Sequence, residues 1–130
     1  MGHSDIAFIT GSADSPTGME RLAGYREALA RHDIPVQEAL IAPGKWTPAC
    51  GAAAVSTLLA RGMSFSALIA SNDDMAIGAI KQLHQAGVSV PEQVSVVGFD
   101  DIALAPYVIP SLASVKMPVT EMIQETINRL

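Results

Sequence analysis

The sequence predicts an α/β fold with a parallel sheet and helices on both of its faces. Three observations lead there. Short apolar runs of strand length alternate with stretches of helical periodicity, and alternation of this kind implies crossovers between parallel strands. Two of the apolar runs, ALIASNDD at 67–74 and VSVVGFDD at 94–101, end directly in amides and carboxylates. Polar groups at the carboxyl ends of buried strands lie at the rim where open parallel sheets bind ligands. The chain has 130 residues, which suits one compact domain that buries roughly two-thirds of its unfolded surface.

Along the chain, Ile6 to Thr10 is the first strand, closed by Gly11 and a loop rich in Gly, Ser, Asp and Pro. A helix is predicted from about Thr17 to His32, with Met19, Leu22, Ala23, Ala28 and Leu29 on its apolar side. Val36 to Ile41 reads as extended. Thr47 and Pro48 then make a helix start, a hydroxyl at the cap and a ring where no amide hydrogen is missed. Val55, Leu58 and Leu59 form its stripe, and Gly62 terminates it. Phe65 to Ala70 is the third strand. Asn72, Asp73 and Asp74 open a helix through about Ala86, where their acceptors suit the exposed amides and positive end of the dipole. Ile77, Ile80 and Leu83 point to its core side, and Gly87 stops it. Val94, Val96, Val97 and Phe99 suit a strand covered on both faces. Leu112 to Lys116 is a last short extended run. After Pro118 comes a final helix, Val119 to Leu130. The sheet pattern ends near Met117, the one plausible boundary.

Composition narrows the function. Hydrophobic residues are 49% and charged residues 16%, so the chain is globular. No apolar run reaches the roughly 20 residues that cross a bilayer, and MGHSD is not a signal peptide; a cytoplasmic location is expected. The net charge of −5 and scattered basic residues argue against direct nucleic-acid binding by this chain. One cysteine, Cys50, excludes an internal disulfide and reads as a buried, inert thiol. No phosphate loop, dinucleotide fingerprint or nucleophile elbow is present. The three histidines are far apart and none ends a predicted strand, which argues against His-based catalysis. Neither enzyme chemistry, a cofactor nor a metal is expected.

A binding site fits better. A neutral sugar offers many hydroxyls: carboxylates accept their hydrogens, an amide both donates and accepts, and Arg donates a planar fork. An aromatic face covers the apolar side of the ring. Asp100, Asn72, Arg21 and Trp46 supply these groups near predicted strand ends and loops. Each has a plainer role open to it: Asn72 as a helix cap, Arg21 as a solvated helix charge, Trp46 as loop packing. Asp100 resists this, because a carboxylate directly after a buried strand needs partners.

HSDIAFITGS, ERLAGYREAL, ALIASNDDMAIGAIKQL, VPEQVSVVGFDDI and the late P-x-L-x-S-V-K resemble the LacI/GalR family of bacterial transcription regulators, in order and over nearly the whole chain. In detail they are similar to the members that answer β-glucosides such as arbutin, salicin and cellobiose. The resemblance implies one lobe of a type I periplasmic-binding-protein-like fold. Residues 1–117 would be the C-terminal lobe of an effector domain, and 118–130 a helix of the other lobe. The DNA-binding domain that contacts the operator would lie outside this chain. Carried over residue by residue, the family's effector contacts fall on Arg21, Trp46, Asn72 and Asp100. A contact the family often makes with a polar residue falls on Met117. The family's homodimer face would use Met75, Ile77 and Val108, although Ile77 read from its spacing alone could equally face the core. With one wall of the cleft, the chain should bind sugar weakly or undetectably, and its lobe-facing surface should favour self-association or poor solubility. A periplasmic sugar-binding protein of a transport system shares the fold and is the main rival.

Overall fold

The computed structural model describes residues 2–130. Five parallel strands form one sheet in the order β2–β1–β3–β4–β5. They are β1 (Ile6–Ile9), β2 (Ile41–Ala42), β3 (Ala67–Ala70), β4 (Ser95–Phe99) and β5 (Ala113–Val115). The helices are α1 (Pro16–Arg31), α2 (Pro48–Ala60), α3 (Asp73–Gln85) and α4 (Val119–Asn128). The predicted parallel α/β class is the observed one.

Alternation along β1 sends its side chains to two separate cores. Ala7 and Ile9 join Leu68, Ala70 and Val96 beneath α2 and α3, with Val55, Leu58, Met75 and Leu83. Phe8 faces α1 and stacks on Tyr25 with ring centroids 4.6 Å apart, beside Leu29. The Tyr25 hydroxyl donates to the Ile6 carbonyl at 2.8 Å. Burial, with Glu38 second, raises its pKa above the ordinary tyrosine value.

Helices α2 and α3 pack closely through two glycines. A Cβ at Gly51 would strike the Met75 backbone, and one at Gly78 the Pro48 carbonyl. Met75 is thereby sealed in the core at 0% exposure. This corrects the expectation that it belongs to a dimer face, since its side chain has no surface to offer. Ile77 is half-buried, and Ile80 and Leu83 face the core as predicted.

Local signals set most boundaries. Ser15 caps α1 and Pro16 is its first residue, the same hydroxyl-then-proline start that opens α2 at Thr47–Pro48. Gly62 and Gly87 adopt positive φ just past α2 and α3. The apolar side of α1 differs from the predicted one. Met19, Ala23 and Ala28 are exposed, while Gly18, Tyr25 and Leu29 are buried and Leu22 half-buried. Tyr25, absent from the predicted stripe, is the residue that turns the buried face. Val36–Ile41 is not a strand: Glu38–Leu40 form a 3₁₀ turn, and β2 keeps two residues. Cys50 is half-buried in the first turn of α2, not buried.

The two sheet faces differ. Val96 is buried beneath α3, but Val97 and Phe99 on the α1 face are half-exposed, so β4 is fully covered on one face only. All of α4 is exposed, including Val119, Met122, Ile123 and Ile127 on one stripe.

Candidate ligand-binding site

The strand order reverses at β1, whose carboxyl end lies between those of β2 and β3. Ligands of open parallel sheets bind at such points. Four chain segments meet there: the start of α1, the loop after β2, the start of α3 and the turn after β4.

Arg21 joins them. Its guanidinium donates through Nη1 to the Ser71 carbonyl and through Nη2 to Asp100 Oδ1 at 2.9 Å. Its Cζ lies 4.1 Å from the Phe99 ring centroid and 5.6 Å from that of Trp46. A cation held between two aromatic faces gains quadrupole attraction beyond its ion pair. The Arg21 side chain is 16% exposed and that of Asp100 39%, so the pair sits at the rim.

Asn72 caps α3, its Oδ1 accepting from the Met75 amide at 3.0 Å. Its Nδ2 donates to the Trp46 carbonyl at 2.9 Å. The cap and the site role, alternatives in the sequence, are compatible in the structure: one amide hydrogen and one lone pair remain after both bonds. Trp46 has φ 69°, a conformation uncommon for a bulky residue, and the Asn72 bond fixes its backbone. Its ring lies against Gly11, where a Cβ would collide with it.

The structure therefore brings Arg21, Trp46, Asn72 and Asp100 to one end of the sheet. It adds two groups that sequence reading does not single out. Ser71 supplies the carbonyl under Arg21, and Phe99 supplies the second aromatic face. Sequence pattern makes Phe99 a strand residue only; an aromatic immediately before a rim carboxylate is the available signal. Neither of the two hollows at this end of the sheet encloses all four expected residues. Arg21 and Met117 line a mainly apolar hollow of about 560 Å³ beside α1. Asp100 and Met117 line another of about 520 Å³ between the body and α4. Asn72 and Trp46 line neither. The residues thus form an open wall, rich in donors and acceptors and backed by aromatic rings. Among the described residues there is no cluster of His, Cys, Asp or Glu able to hold a metal, and no helix is long and apolar enough to cross a membrane.

The architecture is a parallel sheet with a switch point and a polar rim, and the periplasmic binding protein-like domain profile matches residues 1–130. The chain belongs to that family, in the LacI/GalR branch of transcription regulators. It is 70% identical over 129 residues to the HTH-type transcriptional regulator AscG of Escherichia coli, covering 99% of this chain and 38% of that protein. It is 40% identical over 129 residues to the HTH-type transcriptional regulator CelR of Thermobifida fusca, again 99% and 38%. A sugar-binding LacI-family regulator from Escherichia coli, solved with phosphate, superimposes with a TM-score of 0.95 at 70% identity, over 98% of this chain and 46% of that one. A CelR–cellobiose complex superimposes with a TM-score of 0.89 at 40% identity, over 95% and 38%. The chain thus spans less than half the length of the relatives it matches, and those relatives are transcription regulators, not enzymes.

Proposed function

We propose that the chain is the effector-binding C-terminal lobe, residues 1–117, of a sugar-responsive DNA-binding repressor that works in the cytoplasm. Residues 118–130 belong to the facing lobe, and the exposed stripe of α4 is the surface that lobe would cover. The effector is a β-glucoside or a related sugar; the cellobiose complex of a 40% identical regulator supports this class. Arg21, Asn72 and Asp100 hydrogen-bond the sugar hydroxyls, and Trp46 covers an apolar ring face. Closing of the two lobes on the sugar shifts operator affinity, by no more than the sugar's differential affinity for the open and closed states. Two such lobes pair through Ile77 and Val108, next to which Tyr107 and Ile109 are 79% and 94% exposed.

One observation carries the reading: Arg21 ties the Ser71 carbonyl at the end of β3 to Asp100 at the end of β4, which draws the donors and acceptors to one place. A transport-system binding protein would share the fold, but the relatives above are regulators. The test is a chimera in which this chain replaces the matching stretch of the 70% identical Escherichia coli regulator. Operator binding that responds to a β-glucoside supports the proposal. Operator binding indifferent to every sugar tried would refute it.

A further inference from the structure

Two consecutive residues at the start of α3 brace two different rim segments. Asn72 holds Trp46. Its neighbour Asp73 is 0% exposed and directs its carboxylate sideways, not to the amides of its own helix. Oδ1 accepts the Ser114 hydroxyl at 2.6 Å, and Oδ2 accepts the Ile102 amide at 2.9 Å. Ser114 Oγ in turn accepts the Asp101 amide at 2.9 Å. The Asp100 amide donates to the Val115 carbonyl at 2.9 Å. Three successive amides after β4 are therefore tied down, and two of the three ties end on Asp73. Gly98 leaves room for this, since a Cβ there would overlap Asp73 Oδ1.

The tied segment is one that would not hold itself. Asp100 has φ 107° and Asp101 φ 55°, and residues in such regions persist only where the surroundings fix them. The same backbone carries the Asp100 carboxylate to Arg21.

We propose that Asp73 is a positioning residue for the sugar site: acting through Ser114 and the Ile102 amide, it holds the turn that presents Asp100. This rests on the reading of Asp100 as a sugar contact. A helix-capping role alone does not account for the geometry, because the cap is Asn72 and the Asp73 bonds cross to another element.

The test compares Asp73→Asn and Ser114→Ala with Asp74→Asn in the 130-residue chain. Asp74→Asn removes the same charge from the exposed neighbour. The readouts are hydrogen exchange at Asp101 and Ile102, the Arg21 guanidinium resonances, and an NMR titration with cellobiose. The expected result is faster exchange at both amides, altered Arg21 resonances and a sugar midpoint raised about tenfold, the loss of one charge-assisted hydrogen bond, with Asp74→Asn unchanged. Ser114→Ala, at a half-buried site, decides the matter if Asp73→Asn does not fold. Unchanged Arg21 resonances in the folded variants, whatever their stability, would overturn the proposal. If Arg21 responds to Asp73→Asn but cellobiose shifts only resonances away from the Arg21–Asp100 rim, positioning survives and the sugar reading falls.

Discussion

The chain carries Asp-Asp at the end of a strand twice, and the two copies meet opposite fates. After β3 the pair opens α3: Asp73 is fully buried and Asp74 points to solvent. After β4 both residues are exposed, in a turn with positive φ. The residues downstream of each pair account for the difference. Met75 to Leu83 carries helical periodicity and a core-facing stripe, so the first pair becomes a helix start. Ile102 to Tyr107 contains Pro106 and yields only a short 3₁₀ turn, so the second pair stays at the rim. One pair is structural and the other is displayed, and the buried one supports the displayed one.

That contrast predicts a separation of effects. Replacing Asp73 with Ala strands the Ser114 hydroxyl and the Ile102 amide, and should cost about 3 kcal/mol in urea unfolding. Asp100→Ala should cost well under about 1 kcal/mol, as partly exposed ion pairs do, yet abolish sugar binding. Similar stability losses for the two would erase the distinction. Gly98→Ala drives a methyl group toward the Asp73 carboxylate and should destabilise by about 2 kcal/mol. A neutral effect in thermal melts would mean the carboxylate is less tightly placed than the geometry states. Asn72→Ala removes a cap and should cost about 1 kcal/mol. It should also shift Trp46 fluorescence, since the loop loses its anchor; an unchanged spectrum would leave Asn72 as a cap only.

Much of this is legible in the sequence. Both apolar runs ending in carboxylates lie in adjacent strands, and the Thr47–Pro48 and Gly62 signals fall where the helix begins and ends. The departures have physical sources. Pro16 stands in a loop-like string of Gly, Ser and Asp, which hides the helix start it makes with Ser15. Val36–Ile41 looks extended, but β2 is an edge strand of two residues, too short for a period-2 pattern to show. Arg21 taken alone reads more readily as a solvated helix charge, because its partners lie 50 and 79 positions away. Asp73 has the sequence position of a dipole partner for its own helix; only the register of β4 on β5 brings Ser114 to it.

The most direct test is an NMR titration of the chain with cellobiose. Shifts should concentrate at Arg21, Trp46, Asn72 and Asp100, with an affinity weaker than about 1 mM, as one wall of a two-walled cleft would give. Shifts centred instead on the hollow at the amino ends of the strands, around His3 and Pro91, would contradict a sugar site at the Arg21–Asp100 rim.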